Sequence, residues 1–273
     1  MNIEDYAQLE QKTGSRLIKK GNIWWRVVRP FFYRPLLPFE SYNCEEIVRC
    51  FPPWQMVQFP VKEKSRANSQ LHMIVFDDIQ SYQIDTLDKE RRRDIRKAIQ
   101  NGVSIREIRD PDPFISQAYP VYLSFYHRTH YGHQKNRNQK EAFSDWVHTL
   151  LSFPDTCLLG AYLEQELIAI EICCIVDRIL IGKSLINSQK SILFRAQDLL
   201  FHYTREELAK KHNVDLIFTG MVVREQGINN FKLWRGAKIL SLPSHLKMPV
   251  PIKWILKRFR KSEYAFLKGE LSS

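Results

Sequence analysis

The stretch from Thr156 to Ile186 reads TCLLGAYLEQELIAIEICCIVDRILIGKSLI. Three apolar runs are interrupted by Glu164-Gln165 and Asp177-Arg178, short polar pairs of the kind that turn one strand back onto the next. The stretch therefore predicts three strands in an antiparallel meander. Glu171 lies in the middle of the central run, where loss of water raises a carboxyl's affinity for a proton toward the range useful to a general base. Lys183 in the following run is the nearest counter-charge along the chain, and strand register decides whether the two share a face. A surface glutamate and a structural ion pair are the alternatives for Glu171. Cys173 and Cys174 are adjacent, so in a strand they point to opposite faces and cannot share one site.

Downstream, an amphipathic helix is expected from about Ile192 to Lys211, with Asn213 as a left-handed cap. VDLIFTG then reads as a strand, REQGINNFKLWRG as a loop and short helix, and AKILSLP as a last strand. Upstream, TLDKERRRDIRKAIQNG has a capped start, an apolar face through Leu87, Ile95, Ala98 and Ile99, and Asn101-Gly102 as its stop. Arg92 and Arg96 stand one turn apart at the margin of that face, a spacing that presents two guanidinium groups to one anion or to solvent. Arg91 falls inside the apolar arc and must snorkel or find a partner. Further helices are expected around FISQAYPVYLSFYHRTHYG, with Pro120 near its start or at a kink, and in KEAFSDWVHTLLSF. His127, His130 and His133 near Tyr131 form a surface of mixed polarity rather than metal-ligand spacing.

Residues 1–85 read less clearly. NIWWRVVRPFFYRPLLPF interleaves aromatics with Arg26, Arg29 and Arg34 and contains prolines that forbid a continuous helix. It is either a cover for the core or a stacking and phosphate-binding surface; LHMIVF reads as a strand.

The chain of 273 residues is long enough for a real core, and its 44% hydrophobic and 26% charged residues exclude collagen-like, low-complexity and disulfide-framework classes. With 41 Lys+Arg against 30 Asp+Glu, the net charge of +11 favours a polyanionic partner or an anionic membrane surface. The five cysteines have no zinc spacing and read as reduced thiols. No signal-peptide pattern and no apolar run of about 18 residues is visible, so the expected place is the cytoplasm, including the inner face of a membrane.

Two words of the sequence go beyond pattern. LDKERRRDIRKAIQNGV and NNFKLWRGAK, with a helix bearing Tyr122, Tyr126, Arg128 and Thr129 between them, resemble the FemABX-like branch of the acetyltransferase-like (GNAT) fold, over roughly residues 86–242. The resemblance implies an α/β (α+β) fold, with a mixed, mostly antiparallel central sheet flanked by helices. The expected organisation is a short N-terminal subdomain over 1–85, a GNAT-like transferase domain over 86–245 and a basic amphipathic tail over 246–273. It also implies an acyltransferase that moves an aminoacyl or acyl group onto an amine in cell-wall or surface-glycan assembly. Aminoacyl-tRNA or acyl-CoA would be the donor, and a peptidoglycan precursor or amino sugar the acceptor. No resident cofactor or metal is implied. Phe231 and Lys232 take the place of the family's Phe-Lys pair near the reacting centre, where a fixed ammonium would stabilise a developing oxyanion. Phe231, Arg92, Arg96, Arg128, Tyr126 and Lys183 are the expected substrate-binding residues, with Lys232 and Glu171 as the catalytic pair.

Two departures from the family pattern bear on the substrates. NSQKSILFRAQ lacks the glycines of a pyrophosphate-binding loop, which disfavours acetyl-CoA. The short segment before residue 86 also leaves too little chain for a full second lobe. The alternatives are a CoA- or carrier-dependent N-acyltransferase and, in another class, a non-catalytic basic module for RNA or membrane. The tail MPVPIKWILKRFRKSEYAFLKG mixes aromatics with lysine and arginine, and either lies on an anionic membrane or docks back on the protein.

Overall fold

The computed structural model describes residues 1–129 and 135–271, so His130, Tyr131 and His133 lie outside the described residues. In chain order the elements are α1 (Ile3–Lys12), β1 (Leu17–Lys20), β2 (Ile23–Arg29), β3 (Phe32–Pro35), α2 (Cys44–Cys50), β4 (Met56–Pro60) and β5 (Ser69–Phe76). Then follow α3 (Lys89–Gln100), β6 (Val103–Ile108), α4 (Pro111–Thr129), α5 (Lys140–Leu151), β7 (Thr156–Leu163), β8 (Glu166–Val176) and β9 (Ile179–Asn187). The chain closes with α6 (Gln189–Leu193), α7 (Ala196–Tyr203), α8 (Ala209–Lys211), β10 (Leu216–Met221), α9 (Gln226–Leu233), β11 (Lys238–Lys247), α10 (Val250–Phe259) and α11 (Lys261–Lys268). They form two compact units, neither a single stretch of chain: Met1–Leu9 with Ile74–Gly220 and Gln226–Lys238, and Glu10–Met73 with Met221–Glu225 and Ile239–Ser273.

The first unit holds the strand order β5-β10-β9-β8-β7-β6. The expected meander is present: β7 to β9 run antiparallel, and β6 adds itself antiparallel to β7. Glu164 and Asp177 take left-handed φ angles of 56° and 51°, the conformation that tight hairpins require. β10 joins β9 in parallel, pairing only Leu216 to Phe218 with Ile179 to Ile181. α7 packs on α3 and across β6, β7 and β8, while α4 packs on β8, β9 and α5. Pro120 sits inside α4 rather than at its start, and the helix continues through it. Ile95 and Ala98 of α3 are buried as expected, but Ile99 is exposed.

The long helix expected from Ile192 to Lys211 is broken. Arg195 adopts φ 60° between α6 and α7, and Thr204–Leu208 form a π-helical turn between α7 and α8. Neither break is marked in the sequence by a glycine or a proline, so the residue pattern alone does not reveal them.

The second unit holds the order β1-β2-β3-β4-β11. Its aromatic-basic segment is the β2–β3 hairpin, which covers the core rather than forming a stacking surface. Trp25 is fully buried, edge-on to Phe51 at 4.8 Å between centroids, within a cluster that includes Tyr33, Val57 and Phe59. Arg26 bonds Glu10 at 2.6 Å and Arg34 bonds Gln58 at 2.7 Å, so two of the three arginines are turned to protein partners. A second cluster, Phe32, Met56 and Leu246, is covered by Ile252 of α10 and Leu267 of α11. All five cysteines are free.

Candidate active site

GINNFKLWRGAK becomes α9 and its cap. Ala237 N–H donates to Lys232 O (3.3 Å) and Gly236 N–H to Leu233 O (3.0 Å), the pair of hydrogen bonds that closes a helix at a left-handed residue. Gly236 supplies that residue at φ 90°, and a Cβ there would stand 3.3 Å from an Arg205 nitrogen. Two guanidinium groups complete the end of the helix. Arg235 donates to Phe231 O at 2.5 Å and Arg205 to Arg235 O at 3.1 Å, satisfying carbonyls where the helix dipole favours positive charge.

These cations are buried and paired. Arg205, in the π-helical turn, grips both Asp78 oxygens at 2.8 and 2.9 Å and lies over the Tyr82 ring at 3.6 Å. Arg235 meets Asp198, in the first turn of α7, at 2.9 Å and lies over the Phe231 ring at 3.8 Å. Phe231 in turn meets Phe201 edge-on, with centroids 5.8 Å apart. Arg91 has found the partners its place in the apolar arc demands: Asp94 at 3.2 Å and Asp198 at 3.4 Å. Burial alone would lower the proton affinity of Arg91, but Asp198 and Asp94 outweigh it and raise its pKa. For Arg235 burial prevails and lowers the pKa. A narrow cavity among α3, α7 and the end of α9 is lined by Tyr82, Arg91, Asp198, Phe201, Arg205 and Arg235.

Lys232 faces elsewhere. Its ammonium donates to the carbonyl of Thr219 at 2.5 Å, just past the last paired residue of β10, and the Thr219 hydroxyl donates to Ile74 O at 2.9 Å. Gly220 holds φ 119°, and a Cβ there would come within 3.4 Å of the lysine nitrogen. Glycine thus provides both the backbone angle and the room for the ammonium. Burial pushes the Lys232 pKa down to about 8.

Glu171 is buried in β8. Its carboxylate accepts from the Thr204 hydroxyl at 2.8 Å and from the Cys173 thiol, and burial pushes its pKa up to about 7 against those two bonds. Lys183 is not the partner the sequence offers. Register sets Glu171 opposite Leu185, a shift between Ile172 and Cys173 follows, and the Lys183 ammonium lies 5.5 Å from the centroid of the Tyr6 ring.

The remaining expected residues are placed apart. Arg92 and Arg96 each reach Asp85 at 3.6 Å, and of these three arginines of α3 it is Arg91 that lines the cavity. Arg128 donates to Asn187 O at 2.9 Å, tying the end of α4 to the end of β9, while Tyr126 stands edge-on to His127. Sequence reading missed Asp198, Arg205 and Arg235. The only signal was their charge inside otherwise apolar helix stripes or beside the Phe-Lys pair. Among the described residues no group of three or more His, Cys, Asp and Glu could hold a metal ion.

No protein-family model matches the sequence, and no curated protein sequence does either. The fold is nonetheless a known one. The chain superposes on FemX with a TM-score of 0.64 at 8% identity, covering 94% of each chain. It matches the C-terminal domain of a putative lysylphosphatidylglycerol synthetase from Agrobacterium fabrum at TM-score 0.62 and 9% identity, over 98% of this chain and 93% of that one. L-PGS from Bacillus licheniformis matches at 0.57 and 13% identity, over 94% and 96%. The expected fold class, a mixed α/β architecture with a mostly antiparallel sheet flanked by helices, is thereby borne out as a fold of the FemX kind.

Proposed function

We propose that the protein is a FemABX-like transferase that moves an aminoacyl group from a charged tRNA onto an amine, in cell-wall or surface-glycan assembly. The observation that carries this reading is the Lys232 ammonium, half-desolvated and fixed at Thr219 and Gly220 where β10 leaves β9. Support also comes from the fold shared with FemX and with a domain named for an aminoacylated lipid. At pH 7, below its pKa of about 8, Lys232 is mostly charged. An acceptor amine attacks the ester carbonyl, the C–N bond forms and the carbonyl oxygen takes on negative charge, and the C–O bond to the ribose breaks as that charge returns to re-form the carbonyl. A fixed cation in a partly dry setting lowers the energy of that charge. The amine releases a proton and the departing ribose oxygen gains one. Glu171, with its pKa near neutrality, is the proton acceptor in this reading.

The test is transfer from a mixture of charged tRNAs, and separately from acyl-CoA, to a panel of amino-sugar and peptide amines. Lys232→Met should lower the rate by about 10² to 10³, the loss expected for one oxyanion-stabilising group. Transfer from acyl-CoA alone, or a Lys232→Met enzyme at the wild-type rate, would sink the reading. An acceptor carried on a lipid would place the reaction at a membrane face.

A further inference from the structure

The second unit has one end where three strand termini meet. β3 and β4 run parallel with Phe32 opposite Met56, and β11 runs antiparallel to β4 with Lys247 opposite Val57. The β2–β3 turn, the loop before β4 and the start of α10 therefore emerge together, and Met56 N–H donates to Phe31 O at 2.8 Å to join the first two. Each of the three segments leaves a large apolar side chain in solvent: Phe31 is 59% exposed, Trp54 63% and Val250 80%. α10 extends the set with Trp254 at 62% and Phe259 at 68%, their rings edge-on at 5.8 Å between centroids. Isolated exposed apolar groups need no explanation, but a clustered set of this size marks an interaction surface.

Phe31 adds an independent observation. Its φ of 64° is left-handed, where a bulky residue is strained and glycine or asparagine would sit at ease. The turn geometry thus works against a phenylalanine whose ring is mostly in water. Charge narrows the choice of partner. From Val250 to Lys261 the chain has no acid, and Lys253, Lys257 and Arg258 of α10 are exposed, as is Arg29 beside the turn. Aliphatic Val250 and Ile255 among the rings do not stack on bases, whereas acyl chains take aromatic and aliphatic groups alike.

We propose that this end of the second unit docks on an anionic lipid bilayer. The exposed rings and aliphatic side chains enter the boundary between headgroups and acyl chains, and the lysines and arginines of α10 meet lipid phosphates. The surface uses none of the residues of the transfer chemistry and stands or falls separately from it.

Flotation of the intact protein with phosphatidylcholine vesicles, with and without phosphatidylglycerol, tests it. Binding should require phosphatidylglycerol and weaken as salt rises. Trp254→Ser with Phe259→Ser should weaken it about 10- to 100-fold, as expected for withdrawing apolar side chains from a membrane. Phe31→Gly separates binding from folding. It relieves the left-handed strain, so the variant should unfold no earlier than the parent yet bind vesicles about 10-fold less tightly. Wild-type binding by both variants overturns the proposal, and so does equal binding to pure phosphatidylcholine. Two other outcomes also overturn it: a dimer in ultracentrifugation that the variants disperse without any vesicle binding, or poly(U) binding lost in the variants while vesicle binding is absent.

Discussion

The same residue types do opposite things in the two units. In the first, Arg91, Arg205 and Arg235 are withdrawn from water, and each meets a carboxylate: Asp94, Asp78 or Asp198. In the second, the cations of α10 lie in solvent among exposed rings with no acid in their own stretch of chain. The net charge of +11 therefore says less about available positive surface than it suggests, because part of it is consumed in fixing α9. Buried cations are sensitive to the loss of a partner, since an unpaired charge in a dry place is costly. Exposed ones are not.

The largest effect that difference predicts is on Asp198. Removing its carboxylate in Asp198→Ala leaves Arg91 and Arg235 facing one another without their shared partner, which should cost about 3–5 kcal/mol. The melting temperature should fall by roughly 10 °C. Asp198→Asn keeps an acceptor and should lose less. Thermal denaturation at neutral pH measures both, and an Asp198→Ala protein as stable as the parent would break the contrast between the units.

A buried acid without a cation gives the next effect, and its sign is opposite to that of a paired carboxylate. Glu171 holds its proton more tightly folded, with a pKa near 7, than unfolded, near 4.5. Its contribution to stability is thus fully present below pH 4.5 and lost as pH rises to 7, about 3 kcal/mol over that window. Glu171→Gln keeps an oxygen for the Thr204 hydroxyl, cannot titrate, and should flatten that part of the melting profile. If Glu171 is also the base, the same variant loses turnover at a pH where its stability matches the parent. Lys232 shifts the other way. A pKa of about 8 against the usual 10.5 means that stability should rise as pH climbs between those values and fall back as pH drops through 8, and Lys232→Met should abolish the slope. A parent protein with no slope there would mean the ammonium is as well solvated as the lysines of α10.

Much of the first unit was legible because its pattern is local. The meander declares itself through three apolar runs and two polar pairs, and the Phe-Lys and Arg-Gly words locate α9 and its cap. The breaks around α7 were hidden, since neither Arg195 nor the π-helical turn is accompanied by a glycine or proline. The candidate site was half legible for a related reason. Lys232 and Glu171 stand out as charges among apolar neighbours, but their partners are far away in sequence. Thr204 is 33 residues from Glu171, and Arg205 is 127 from Asp78. A one-residue register shift in β9 is enough to take Lys183 away from Glu171. Arg92 and Arg96 looked like an anion clamp because helical spacing fixes their direction but not the nearby Asp85, which lies before the helix begins.

The smallest predicted effect is the most direct check on the exposed half of the comparison. Lys257 of α10 is in solvent, with its ammonium 5.3 Å from the centroid of the Tyr264 ring of α11. A cation over an aromatic face at an exposed site is worth about 0.5–1 kcal/mol at most, and the lysine stem loses little on truncation. Lys257→Ala should therefore move stability by no more than about 0.5 kcal/mol, within the range of surface substitutions. Lys253→Ala, on the same exposed helix, should do as little. Binding to anionic vesicles should fall by contrast, by roughly 1 kcal/mol for each charge removed, because there each lysine acts through its field at the lipid surface and not through a fixed partner. A variant that melts early while still binding vesicles would invert the assignment, making α10 a structural element and its cations part of the fold.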